Sequence, residues 1–126
     1  MKIEVRNGLP FVQATVTHAG KQIRLNNMLV DTGSASTIFA TDQLLSLGVH
    51  YAPEDEVHRI RGVGGTEFVF ARQIASLAVE DLQTDDFTVE IGLVDYGFVV
   101  DGIIGMDFLL RVGAVIDLKQ LAIYSA

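Results

Sequence analysis

The chain has 126 residues, 49% of them hydrophobic and 20% charged, which supplies a packed core and excludes a disordered polymer. It has no cysteine, which excludes disulfides, thiolate zinc sites and a cysteine nucleophile and fits a reducing, cytoplasmic setting. A net charge of −7 argues against nucleic acid or an anionic membrane as partner.

At the N-terminus, Lys2, Glu4 and Arg6 place a charge at every second position and no apolar run follows. That pattern predicts a strand over Lys2–Val5 and no secretory signal. Alternation and short β-branched runs predict further strands over Phe11–Thr17, Gln22–Leu25, Met28–Asp31, Val57–Arg61 and Thr66–Phe70. Others follow over Ile74–Val79, Phe87–Ile91, Val99–Ile104, Ala114–Asp117 and Leu121–Tyr124. His18-Ala19-Gly20-Lys21 and Leu118-Lys119-Gln120 read as hairpin turns. Only two helices are predicted: Asp42–Leu47, capped by Thr41 and ended by Gly48, and Met106–Arg111, with Gly113 just beyond. The most apolar stretch, Phe98–Ile116, is broken by Asp101, Asp107, Arg111 and three glycines, so it cannot span a bilayer as a plain helix. No linker divides the chain. The expected fold class is all-β, a closed barrel or sandwich with one or two short helices, as a single domain over residues 1–126.

Asp31-Thr32-Gly33-Ser34 directly follows the apolar run Met28-Leu29-Val30. An acid at the end of a buried strand is costly unless it is hydrogen-bonded or has chemistry to perform. Gly33 allows a sharp turn that brings its N–H to the carboxylate, and the Thr32 hydroxyl is expected to tie the loop to neighbouring backbone. Read alone, the tetrapeptide is equally an ordinary turn closing a strand. A second motif, Ile60-Arg61-Gly62-Val63-Gly64-Gly65, has three glycines in four positions between alternating strands, as a hairpin tip with unusual backbone freedom would. A third, Gly102-Ile103-Ile104-Gly105, faintly echoes the first: an apolar strand running into glycine and then a possible helix.

Taken together, Leu29-Val30-Asp31-Thr32-Gly33-Ser34-Ala35-Ser36-Thr37-Ile38, Ile60–Gly65 and Gly102-Ile103-Ile104-Gly105-Met106-Asp107-Phe108-Leu109 occur in the order found in retropepsin-like aspartic peptidases, which this chain resembles from about residue 9 onward. Ile116-Asp117-Leu118-Lys119 is similar to the cellular branch. Two departures point the same way: the acid that retroviral members carry at the Ala35 position and the arginine they carry at the Met106 position are both absent. Losing both members of an ion pair strands no charge, although it removes an acid that would contact the substrate main chain.

The resemblance implies an acid-protease half-fold that acts on polypeptide without metal or cofactor. Asp31, Thr32 and Gly33 are its catalytic positions. Ser34, Ile38, Arg61, Gly62, Val63, Gly64, Gly65, Ile103 and Ile104 are its substrate-binding positions, the glycine-rich hairpin being the flap. Carboxylate-driven hydrolysis needs two acids in one site, and the chain carries one Asp-Thr-Gly. A twofold homodimer is therefore expected, with Asp31 of each copy at the axis. The rival readings are a catalytically silent peptide-binding module on the same fold and a small barrel for an apolar ligand. His18, His50 and His58 show no ligand-like spacing and are assigned structural or surface roles, as are Asp101 and Asp107. Glu54-Asp55-Glu56 and Asp85-Asp86 read as solvated loops.

Overall fold

The computed structural model describes residues 2–62, 65–94 and 97–126, with residues 60–62 and 65–67 as backbone only. Among the described residues, ten strands and two short helical segments follow one another. These are β1 Glu4–Arg6, β2 Leu9–His18, β3 Lys21–Val30, β4 Ile38–Ala40, a 3₁₀ turn at Leu45–Leu47, β5 Val57–Gly62 and β6 Gly65–Val79. Then come β7 Leu82–Gly92, β8 Gly102–Ile104, α1 Met106–Val112, β9 Ala114–Asp117 and β10 Ala122–Ser125. Eight strands form one sheet in the order β1-β2-β3-β8-β4-β7-β6-β5, and a further β2–β6 pairing closes it. Closure makes a six-stranded barrel of β2, β3, β8, β4, β7 and β6, with β1 and β5 on its margins. The expected all-β, closed-sheet class is what forms.

The local chemistry explains most boundaries. β2 and β3 turn through Ala19 and Gly20, both at positive φ, so His18 faces Lys21 across a tight hairpin. Two pairs of predicted strands turn out to be single long ones. Gln22–Leu25 and Met28–Asp31 merge into β3, and Thr66–Phe70 and Ile74–Val79 merge into β6. The intervening polar residues are carried within the long strands: the side chains of Asn27, Arg72 and Gln73 find partners, and the β2–β3 register shifts by a bulge opposite Asn26 and Asn27. The helix expected over Asp42–Leu47 shrinks to the 3₁₀ turn. Gly48 does end it in the left-handed conformation, but Thr41 does not cap it: its N–H bonds the Gly92 carbonyl, and Leu44, Leu47 and Val49 are drawn into the core. β4 was not anticipated, and the strand expected over Val99–Ile104 is confined to Gly102–Ile104.

One main core fills the barrel and the layer beneath α1. Val30, Phe39, Ile74, Leu77, Ile91, Ile104 and Phe108 are among its buried members, and Phe87 meets Phe108 edge to face at 6.1 Å. Two smaller apolar clusters lie apart from it: Phe11, Leu29 and Val100; and Ile38, Val69 and Ile103. Half-buried Val94 packs against both. No helix among the described residues is long and apolar enough to cross a membrane.

Candidate active site

Asp31 is the first residue past β3. Its N–H continues the parallel β3–β8 ladder onto the Ile104 carbonyl at 3.0 Å. The chain then turns at once: the Ser34 N–H reaches back to the Asp31 carbonyl at 3.1 Å, and the Gly33 N–H donates to Asp31 Oδ1 at 2.8 Å. A Cβ on Gly33 would lie 3.2 Å from that same oxygen, so glycine matters here for closeness and not for a left-handed backbone. The carboxylate is partly exposed, held at one oxygen by a peptide N–H.

The loop from Asp31 to Thr37 crosses the end of β8 before β4 begins on that strand's other side. The crossing is tight. A Cβ on Gly105 would fall 2.2 Å from the Ser36 carbonyl oxygen, so only glycine fits beneath the loop. Three bonds fasten the loop to the start of α1: Met106 N–H to the Ser34 carbonyl at 2.8 Å, Asp107 N–H to the Ala35 carbonyl at 3.2 Å, and Gly105 N–H to Thr37 Oγ1 at 3.1 Å. Thr37, fully buried, donates its hydroxyl to Asp107 Oδ1 at 2.7 Å and its N–H to Oδ2 at 3.1 Å. Asp107 therefore has the structural role expected of it, as the anchor of the loop. Asp101 is likewise structural: buried, it accepts from the Asn27 N–H at 3.0 Å and Asn27 Nδ2 at 3.1 Å.

Strand register decides which side chains share a face with Asp31. Leu29 pairs with Ile103, Ile103 with Ile38, Ile38 with Glu90, Glu90 with Ala71, and Val69 with His58. Paired residues in adjacent strands point the same way, and alternation puts Asp31 with Leu29. One face of the wall thus carries Asp31, Leu29, Ile103, Ile38, Glu90, Val69 and His58. Ile38 and Ile103, predicted as pocket residues, are indeed brought together, with Val69 added by β6.

The structure places three other predicted site residues as follows. Ile104 falls on the opposite face, is wholly buried in the main core, and reaches the site only through its carbonyl. The Ser34 hydroxyl donates within the loop to the Ser36 carbonyl at 2.8 Å. Thr32 does not tie the loop to neighbouring backbone; its side chain is exposed and makes no hydrogen bond among the described residues. Of the glycine-rich motif, Val63 and Gly64 lie outside the described residues. The Gly62–Gly65 pairing does close an antiparallel β5–β6 hairpin, with Arg61 opposite Thr66. Sequence reading missed Thr37, whose signal was a polar residue directly preceding the apolar pair Ile38-Phe39. It also missed Glu90, whose signal was an acid within the alternating Phe87–Ile91 stretch of β7.

At the base of that hairpin, His58 Nδ1 lies 2.7 Å from Glu90 Oε2 and Nε2 lies 3.0 Å from Glu56 Oε1. These bonds, the one to Glu56 foremost and then the one to Glu90, hold the imidazole above its ordinary value of 6.5 against the opposing effect of burial. On the other face, Arg72 grips Asp55 through two bonds at 2.7 and 3.1 Å. That guanidinium, helped by the Ala52 N–H, holds the Asp55 carboxyl below the ordinary 3.8. Asp55, read from sequence as part of a solvated acidic run, is instead a tethered residue. Among the described residues, no group of three or more histidine, aspartate or glutamate side chains is placed to hold a metal ion.

Residues 12–108 match the family model described as aspartyl protease. No curated protein matches the chain.

Proposed function

Because this chain belongs to the aspartyl protease family, a retropepsin-like one, we propose that it is an endopeptidase whose active site forms where two copies meet, each supplying Asp31. The observation that carries this reading is the Asp31 carboxylate itself: fixed by Gly33, partly exposed at the end of β3, and present once per chain. Two carboxylates about 3 Å apart cannot both ionise, so such a pair keeps one proton. The ionised member takes a proton from water as the water oxygen attacks the peptide carbonyl carbon, and the protonated member donates to the carbonyl oxygen. Collapse of the resulting tetrahedral adduct then breaks the C–N bond, with a proton passed to the leaving nitrogen.

The surroundings support an extended, apolar substrate. Ile38, Ile103 and Val69 form an apolar wall on the face that carries Asp31, and Leu29, Phe11 and Val100 continue it through Val94. The β5–β6 hairpin, with Gly62 and Gly65 closing it, offers backbone groups for strand-like pairing with a polypeptide. Exposed Leu93 and Val99 add apolar surface next to this wall, and the unengaged Thr32 hydroxyl beside Asp31 is available to a second copy. A cytoplasmic setting belongs to the same proposal.

The test pairs two measurements on the same samples: mass in solution against concentration, and cleavage of a denatured protein at mildly acidic pH. Cleavage is expected to rise with the dimer fraction and to vanish in Asp31→Asn with the fold intact. An Asp31→Asn protein as active as its parent removes Asp31 from the mechanism, and a monomer that cleaves removes the dimer.

A further inference from the structure

Glu90 is a buried carboxylate that the chemistry above does not use. It is 8% exposed; among the described residues its Oε1 is buried with no hydrogen-bond partner, and His58 is the one side chain bonded to its Oε2. The contact skips a strand. His58 belongs to β5, Glu90 to β7, and between them runs β6, where Val69 faces His58 and Ala71 faces Glu90. The small side chain of Ala71 leaves room for the two to meet diagonally. This matters because β5 is a margin of the sheet whose ladder runs to β6 alone, whereas the Glu90 N–H bonds the Thr37 carbonyl at 3.0 Å. Glu90 thus touches the hairpin with its side chain and the Asp31–Thr37 loop with its backbone.

Both ring nitrogens of His58 face a carboxylate oxygen. Neutral imidazole has a single N–H and can donate to only one of them; imidazolium donates to both. We propose that His58 and Glu90 are positioning residues of the peptidase: the doubly protonated ring, bridging Glu90 and Glu56, pins the edge strand β5 onto β7 and so sets the hairpin's position relative to the catalytic loop. The proposal rests on the reading of the β5–β6 hairpin as a substrate-binding element. Among residues whose side chains are described, the charged groups facing the ring are Glu56, just ahead of β5, and Glu90 on β7. On β6 the register partner of His58 is uncharged Val69, with uncharged Ala71 next on the same face. Arg59 and Arg72 fall on the other face by alternation, Arg72 being engaged with Asp55. The direction of the His58 shift agrees. A raised folded value means that the bridge is complete below the ordinary 6.5 and fades as pH climbs through the raised value.

The experiment reads the bridge without relying on turnover. The His58 ring is titrated by NMR, and amide exchange in β5 is measured at pH of about 5.5 and about 8, in the parent and in Asp31→Asn, Glu90→Gln and His58→Arg. Peptide hydrolysis by the parent and His58→Arg supplies KM and kcat at the same pH values. In the parent and in Asp31→Asn, His58 is expected to titrate above 6.5. Opening of β5, corrected for intrinsic exchange, should rise about tenfold between the two pH values for each unit of that elevation. Glu90→Gln should lower the His58 titration, and His58→Arg, a permanent cation with donors for both carboxylates, should keep β5 protected at the higher pH. KM should climb with pH in the parent and not in His58→Arg, while kcat follows one profile in both. An unshifted His58, β5 exchange indifferent to pH, or a His58→Arg protein that loosens as the parent does would overturn the bridge. Exchange that tracks His58 while KM ignores it overturns the positioning role alone. If no peptide is cut by any variant, the dimeric-peptidase reading and the positioning role fail together, and exchange and titration still decide the bridge.

Discussion

Thr37 and Asp107, 70 residues apart in the chain, are joined by two hydrogen bonds, hydroxyl to Oδ1 at 2.7 Å and N–H to Oδ2 at 3.1 Å. The same hydroxyl accepts from the Gly105 N–H, so one buried side chain couples the loop after Asp31 to the first turn of α1. Thr37→Val keeps the shape and deletes the hydroxyl. It leaves the Gly105 N–H unpaired in a dry place and takes one of two donors from Asp107 Oδ1, which keeps the Phe108 N–H, an expected loss of about 1–3 kcal/mol in urea denaturation. Thr37→Ser retains both bonds and should fall well short of that loss. Equal midpoints for the Val and Ser variants would show that the hydroxyl carries no weight.

Gly105→Ala tests the crossing itself. The added methyl would sit 2.2 Å from the Ser36 carbonyl oxygen and 3.0 Å from that of Ser34, both backbone atoms with no flexible end to swing aside. Either the loop or β8 must move. The expected cost is about 1–3 kcal/mol of stability, as for overpacking elsewhere. Because Asp31 hangs from the same loop, a shift of about 1 Å should lower kcat on the order of 100-fold, beyond what the stability change explains. Kinetics on samples verified as folded by circular dichroism would separate the two effects. A variant with parental kcat would place the catalytic loop outside the influence of this contact.

Much of this architecture was legible in the sequence because its signals are local. Period-two alternation marked most strands, Gly48 and Gly113 marked the ends of the two helical segments, and the Asp31–Ile38 and Gly102–Leu109 motifs marked the elements that meet around Asp31. What could not be read depends on register. Ile103 and Ile104 are adjacent and equally apolar, yet pairing of Leu29 with Ile103 turns one toward Asp31 and the other into the core. Nothing short of the β3–β8 ladder distinguishes them. β4 was missed because three residues carry little periodicity, and Glu90 because an acid in a strand looks solvated until His58 is placed beside it. The Asp42–Leu47 helix failed because Leu44 and Leu47 serve the core from a single tight turn, while Leu45 stays exposed.

The Asp55–Arg72 pair gives the fold a sensitivity to acid. Asp55 titrates below its ordinary value in the folded protein, chiefly through the Arg72 bonds. A lowered folded value means stability that is complete above the unfolded value of about 4 and is lost as pH falls through the folded one. The urea midpoint is therefore expected to drop as pH is taken from about 5 to about 3, and Asp55→Asn should flatten part of that drop while lowering the midpoint at neutral pH. Parallel curves for the two proteins would mean that other carboxylates account for the acid sensitivity.

Mixing provides the most direct test of a shared site. If each productive site takes one Asp31 from each of two copies, a chain bearing Asp31→Asn poisons every dimer it enters. Equal amounts of parent and variant, dissociated and allowed to reassociate at random, put about one quarter of the dimers in the parent–parent form. Activity should then be about a quarter of that shown by the same total concentration of parent, and it should fall as the square of the parental fraction across a titration. A monomeric enzyme would instead lose activity in simple proportion, to about one half at equal mixing. The mixed sample's mass must match that of the parent, so that loss of activity is not mistaken for loss of the dimer. A linear titration would break the link between Asp31 and its symmetry mate, whatever the mass in solution.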